Sequence, residues 1–248
     1  MTLRFSGHAA WITFLTLLTQ IGGIAWLIAC LFRRRWLAFV ALYAALSIAA
    51  LWIAPMFGRV ALPCTGETLR IQSAIYCALN RHYVVPELSQ VLQETAVKAA
   101  KERPGTITQV LDANFPFLDG FPLLPHLSHD DGRKADIAFY YQDASRRYLP
   151  AATRSAIGYF AFEQGPTDCP SRILSLRWDL DWLQPLMRDL PPDVARMKTV
   201  MRLLSADPRI GKILLEPHQV HSWGVSHGKV RFQGCRAARH DDHIHVQL

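Results

Sequence analysis

The sequence predicts an α+β protein: an N-terminal two-helix transmembrane hairpin, then an exported domain with a small antiparallel sheet carrying a zinc site and flanking helices. Three observations predict this. Residues 9–32 contain no charged side chain, and neither do residues 36–58. Each run exceeds the roughly 20 apolar residues needed to cross a bilayer core, so spans are expected over about 9–32 and 36–57. Beyond residue 58 the pattern changes to mixed helix and strand, with histidines gathered around two expected strands.

The hairpin sets a direction. Arg33, Arg34 and Arg35 form the short connection, and the tail ahead of the first run offers only Arg4. Short Arg-rich loops stay in the cytoplasm. Both the N-terminus and the domain after Gly58 are therefore expected on the outer, periplasmic side of a bacterial cytoplasmic membrane. The first run is too long for the apolar core of a secretory signal and ends in Phe32-Arg33 without a small-residue cleavage site.

The net charge of +7 does not indicate nucleic acid. Residues 1–58 hold four Arg and no acid, which leaves 23 basic and 20 acidic residues in the rest of the chain. That remainder has no Lys/Arg-rich run, the electrostatic footprint a nucleic-acid binder needs. Cys30 falls inside the first span, where a thiol behaves as a small apolar group. Cys64, Cys77, Cys169 and Cys235 all fall in the exported part, so two disulfides are expected. Four cysteines allow three pairings. Cys64–Cys77 and Cys169–Cys235 is the expected one. No C-x-x-C spacing occurs, which argues against a cysteine zinc site.

Residues 59–113 read as a helical neck without chemistry, and residues 114–248 as the functional domain. In the neck, Glu67–Leu79 reads as helix. Pro86 opens a second helix to about Arg103, with Leu88, Val91 and Leu92 at helical spacing, and Pro104-Gly105 ends it. A third short helix is expected over Ile107–Asp112. In the domain, Ala135–Tyr141 reads as a strand and residues 142–172 as a surface excursion. Leu183–Leu204 reads as mostly helical, broken at Pro191-Pro192. Lys212–Leu215, Val230–Phe232 and His243–Leu248 read as strands. Phe139-Tyr140-Tyr141 is expected in the core, and Trp178 and Trp182, four apart, as a helical packing pair.

The histidines carry the chemistry. His243 and His245 are two apart, which on a strand puts both side chains on one face. Either both hold one ion, or one ligates while the other acts on a bound water. His240 precedes them, where a turn can fold it back. His129 and Asp136, with Gly132 between them for a bend, supply partners from a loop and the strand that follows. Two imidazoles and a carboxylate suit zinc, and three protein ligands leave a fourth position for water.

Ser128-His129-Asp130-Asp131-Gly132-Arg133-Lys134-Ala135-Asp136 resembles the S-H-x-x-G-x-x-A-D signature of the penicillin-insensitive murein endopeptidases. His240-Asp241-Asp242-His243-Ile244-His245 resembles their C-terminal H-x-x-H-x-H. His126 also matches a histidine of the first motif. The resemblance covers roughly Phe115–Leu248 and extends to a superfamily of lysostaphin-type and D-Ala-D-Ala metallopeptidases. It implies one Zn2+ per chain on His129, Asp136 and His245, with His243 and His240 as the catalytic pair. His126 and Ser128 would then lie in the cleft or behind the ligands. The Asp130-Asp131 pair and the two-span anchor depart from the family pattern.

The expected function is therefore hydrolysis of peptide bonds in peptidoglycan stem peptides or cross-links by a membrane-anchored zinc peptidase of D,D-endopeptidase type. No H-E-x-x-H occurs, so the glutamate base of the zincins is absent. Two alternatives stand beside it: a D-Ala carboxypeptidase of the same superfamily, and a non-catalytic, zinc-containing envelope scaffold. A merely structural ion, closed by His126, would need neither His240 nor His243. Asp130, Asp131, Asp241 and Asp242 are expected to be solvated or to orient ligand imidazoles. His8, His82, His218, His221 and His227 match no pattern and are expected to be structural, with the last three near the cleft rim as the alternative.

Overall fold

A computed structural model describes residues 2–170 and 175–248, with side chains from Gly7 onward. The N-terminal region holds α1 (Thr2–Thr19), α2 (Gly22–Ala29) and α3 (Arg35–Ile53), the last extended by a 3-10 turn over Ala54–Phe57. Among the described residues, Arg35–Phe57 is the one helix long and apolar enough to cross a membrane, a property anchors and signal sequences share.

The first uncharged run is not a single helix, which corrects the expected span over 9–32. The chain reverses at Gln20, whose φ is +66°. Gly22 and Gly23 then let α2 lie directly on α1. A Cβ on Gly23 would stand 1.9 Å from Thr16 Oγ1 and 2.7 Å from the Ile12 carbonyl. The reversal brings Trp26 back to His8, whose Nδ1 accepts from Trp26 Nε1 at 3.3 Å. Hydropathy averages over a window and does not register a turn made of apolar and small residues.

The chain beyond Phe57 is built on a six-stranded mixed sheet. Its strands are β2 (Leu69–Ile71), β4 (Thr108–Val110), β5 (Lys134–Ala138), β6 (Lys212–Leu214), β7 (Val230–Arg231) and β8 (His243–Gln247), in the order β2-β4-β5-β8-β6-β7. The two outer pairs are parallel and the three inner pairings antiparallel, so the sheet is not purely antiparallel as expected. β1 (Val60–Ala61) and β3 (Tyr83–Val84) form a separate antiparallel pair.

The expected helical neck is not a separate unit. Residues 108–110 form β4, and Glu67–Leu79 splits into β2 and a short α4 (Ala74–Ala78) capped by Ser73. Thr108, Gln109 and Val110 are all buried, so this strand has no apolar alternation to betray it. The expected helix at Pro86 is present as α5 (Pro86–Glu102), with Pro at its first position and Leu88, Val91, Leu92, Ala96 and Ala99 buried on one face. Of the stretch Leu183–Leu204, only a 3-10 turn at Gln184–Leu186 and α6 (Val194–Ala206) are helical. α6 opens at Asp193, whose side chain caps Arg196 N at 3.0 Å, and packs on α5. A short α7 (Pro217–Trp223) sets Trp223 against Phe139. Phe139, Tyr140 and Tyr141 lie in the core as expected.

Both disulfides form in the expected pairing, with Cα separations of 6.1 Å for Cys64–Cys77 and 5.2 Å for Cys169–Cys235. Both fall within the span a disulfide can bridge. Two formed disulfides fit an oxidising compartment. Thiol counting on denatured, unreduced protein is expected to find Cys30 alone reactive. Three or more free thiols would contradict the pairing.

Candidate metal centre

The two central strands build the site. In the antiparallel pairing of β5 with β8, Asp136 lies directly opposite His245 and Ala138 opposite His243. Directly paired residues share a face, and positions two apart on a strand do too. Asp136, His243 and His245 therefore point into one space. His129 enters from the loop ahead of β5, where its imidazole is 1% exposed.

Three donor atoms converge. His245 Nδ1 is 2.8 Å from Asp136 Oδ1, His129 Nε2 is 3.3 Å from the same oxygen, and the two imidazole nitrogens are 3.2 Å apart. Ligands bound about 2.0–2.2 Å from one tetrahedral ion stand roughly 3.3 Å apart, so the triangle has the dimensions of a metal site. His126, His129 and Asp136 form an overlapping group with ligand atoms within 4.8 Å of one another. His126 Nδ1, however, approaches the other carboxylate oxygen, Oδ2, at 3.4 Å, and Asp112 Oδ2 equally at 3.4 Å. It meets the Asp136 oxygen that Tyr159 holds, outside the triangle.

The surroundings fix each donor. Ala113 O accepts from His129 Nδ1 at 2.9 Å, which turns Nε2 toward the site. The Tyr159 hydroxyl donates to Asp136 Oδ2 at 2.6 Å and leaves Oδ1 to the imidazoles. His243 donates from Nδ1 to Asp242 Oδ1 at 2.5 Å, and Asp242 Oδ2 accepts from Phe160 N at 2.5 Å. His243 Nε2 consequently faces the triangle, 3.6 Å from Asp136 Oδ1. The His240 ring lies tilted to His243 at 5.0 Å and edge-on to His245 at 5.6 Å, and its buried Nδ1 has no partner among the described residues.

Asp136 is 1% exposed and, among the described residues, no Lys or Arg pairs with it. Burial by itself would raise its pKa, but the neighbouring His129 and His243 hold it well below the usual carboxylate range. Burial lowers His245 to about 4 against the pull of Asp136, whereas Asp136 raises His129 against its burial. Burial also lowers His240, reinforced by the neighbouring His243. His243 goes the other way: burial opposes its charge, yet Asp136 and Asp242 raise it to about 9. A buried carboxylate facing several imidazoles, with no Lys or Arg on it among the described residues, is a donor set that suits a bound cation.

The cleft opens over this triangle, with Phe160, Phe162, Leu176 and Trp178 as an apolar wall and His126, Ser128 and His240 along its lining. The Cys169–Cys235 bridge, and Leu176 N donating to Arg236 O at 3.0 Å, tie the two wall segments together. Two expectations need correction here. Residues 142–172 are not simply a surface excursion: Tyr159, Ala161 and Phe162 are buried, while residues 171 and 172 lie outside the described residues. Trp178 and Trp182 are not a helical pair; no helix covers them, and they are 51% and 73% exposed. Asp241 and Asp242 are buried on Arg239 and His243, whereas Asp130 and Asp131 pair with Lys134. His218, His221 and His227 do not line the cleft.

Tyr159 is a candidate site residue that the motifs do not reveal. Gly158, at φ +81°, lets its segment press onto Leu111, where a Cβ would stand 2.2 Å from Leu111 Cδ2. The unbroken apolar run Ile157-Gly158-Tyr159-Phe160-Ala161-Phe162, set between polar segments, is the one sequence signal that points to it. Tyr159→Phe is expected to weaken metal binding by about 10–100-fold, as loss of groups that orient ligands typically does. Chelator competition would read this, and an unchanged affinity would remove Tyr159 from the site.

A scan against protein-family models finds no match for this chain, and a search of curated proteins finds none either.

Proposed function

We propose that the chain is a zinc-dependent peptidase that hydrolyses peptide bonds of peptidoglycan stem peptides or cross-links, of the D,D-endopeptidase type. The observation that carries this reading is the triangle of His129 Nε2, Asp136 Oδ1 and His245 Nδ1 beneath an open cleft, with a carboxylate-braced imidazole beside it. These three residues would hold the ion. A zinc ion bound with an open position supplies a water of lowered pKa and polarises a carbonyl.

The remaining work falls to the chain. His243, oriented by Asp242, presents Nε2 as the site-facing nitrogen. Held protonated by Asp136 and Asp242, it stabilises the forming oxyanion, gives its proton to the departing amine nitrogen and recovers one from the added water, so the peptide C–N bond breaks with no net proton change. His240, kept neutral by burial, supports His243 across the 5.0 Å ring contact and faces the forming oxyanion. The apolar wall of Phe160, Phe162 and Leu176 keeps water out of the bond being cut.

One observation favours an internal bond over a D-Ala carboxypeptidase. A carboxypeptidase needs a cation for the free carboxylate. Arg239, the one guanidinium lining the cleft among the described residues, is held by both oxygens of Asp241 and by Asp179. The location follows the same reading. Arg33–Arg35 precede the candidate span, so the chain after Phe57 emerges on the outer side of the cytoplasmic membrane. The bilayer and peptidoglycan peptides are the partners, and nucleic acid is not.

The full chain in detergent, incubated with cross-linked muropeptides, is expected to convert dimers to monomers. A chelator should stop this and added zinc restore it. Release of free D-Ala from monomers without cleavage of dimers would favour the carboxypeptidase. Tight metal binding without any hydrolysis would favour the scaffold.

A further inference from the structure

The domain after Phe57 is not hung from the apolar helix on a linker. One stripe of α3, Tyr43, Ser47, Ala50 and Ala54, docks on it. The Tyr43 hydroxyl donates to Ala78 O at 2.6 Å, and Asn80 Nδ2 donates to Tyr43 Oη and Ser47 Oγ at 3.0 Å each. Ala50 and Ala54 are fully buried against Tyr83. That stripe runs about 16 Å along the helix at the α-helical rise per residue. Arg59, directly after the last helical turn and Gly58, is already 3% exposed. Wherever α3 sits, the domain must sit against it.

The loop between Phe115 and His129 is braced by the same helices. Phe117 N donates to Gln20 Oε1 at the α1–α2 reversal at 2.9 Å, and the Phe57 and Phe117 rings meet at 5.1 Å. Arg59 pairs with Asp119 and neutralises the one acid there. The loop exposes Leu118, Leu124 and Leu127 by 52%, 48% and 54%. Leu127 reaches the cleft lining beside His126. On the helix side, Trp52 and Met56 of α3 and its turn are 72% and 84% exposed. Exposed apolar side chains thus stand at the helix end and on the loop that the Phe57–Phe117 contact joins to it, and Leu127 carries them to the lip of the cleft. Grouped exposed apolar side chains mark surfaces that meet a partner or a membrane.

We propose that Leu118, Leu124 and Leu127 form a lip that rests in the outer leaflet of the bilayer entered by α3, so that the cleft opens at the lipid surface. This rests on the reading of α3 as a membrane anchor. The linkerless mount fixes the height of the site, and its substrates are peptides held against the membrane rather than deep in the wall.

The test uses the full chain with Cys30→Ser, in vesicles of phosphatidylethanolamine and phosphatidylglycerol doped with nitroxide-labelled lipid. An environment-sensitive fluorophore is placed in turn at Leu124→Cys, Leu127→Cys, Trp52→Cys in the anchor, and Lys101→Cys at the exposed end of α5. The lip positions are expected to be blue-shifted and quenched by the nitroxide lipids as Trp52 is, while Lys101 is not. If Trp52 is quenched and the lip behaves like Lys101, the lip proposal is overturned and the anchor stands. If Trp52 is not quenched either, the anchor reading fails and takes the lip with it.

Discussion

Replacing Asp136 by alanine is expected to empty the metal site and abolish turnover while the fold survives. Asp136 Oδ1 is the oxygen on which His245, His129 and His243 converge, at 2.8, 3.3 and 3.6 Å. Its other oxygen is held by the Tyr159 hydroxyl at 2.6 Å. Without the carboxylate, two imidazoles remain, too few to strip and hold an ion in an open site. Losing the metal removes several kcal/mol of charge stabilisation, roughly 10³–10⁴-fold in rate. The fold should persist because the removed charge is itself buried and lacks a Lys or Arg partner among the described residues. Metal analysis after dialysis, with a thermal melt of the metal-free proteins, separates loss of metal from loss of structure. Wild-type zinc content in Asp136→Ala would refute the centre as described. Asp136→Asn keeps a partner for Tyr159 but not the charge, and should also lose metal.

His243→Ala is expected to behave differently: it should retain zinc and lose about 10²–10⁴-fold in turnover, the usual contribution of a positioned proton-transfer group. His243 Nε2 stands outside the donor triangle, 3.6 Å from Asp136 Oδ1, and its Nδ1 is committed to Asp242. Asp242→Asn should give a smaller loss, because the ring keeps a neighbour but not the charge that raises its pKa. The decisive comparison is with His245→Ala, which should lose metal. Equal metal loss in both variants would show that the roles within His243-Ile244-His245 are wrongly divided. Full activity in His243→Ala would end the catalytic reading.

Much of the site is legible in the amino-acid sequence because its information is local. The spacing of His243 and His245 needs only the period of a strand to put both rings on one face. The pattern of α5 follows in the same way from Pro86 and the spacing of Leu88, Val91 and Leu92. The four cysteines beyond Gly58 need only an oxidising compartment to imply two bridges. Asp136 can be paired with His129 because one bend separates them.

What the tertiary structure alone decides is non-local. Asp136 and His245 are 109 residues apart, and only the register of β5 on β8 sets them side by side. A slip of one residue would turn Asp136 to the opposite face and dismantle the triangle. β4 is hidden because a three-residue strand buried throughout has no periodicity of its own; its partners, not its residues, make it a strand. The fold-back at Gln20 is hidden because apolar and small residues satisfy a membrane span and a tight helix pair equally well. Tyr159 is hidden because its role depends on reaching Asp136 across the fold. Composition and spacing determine which chemical groups this protein carries and how neighbours along the chain share a face. The packing of distant segments determines which of those groups meet, because pairing and burial depend on contacts that no local window contains.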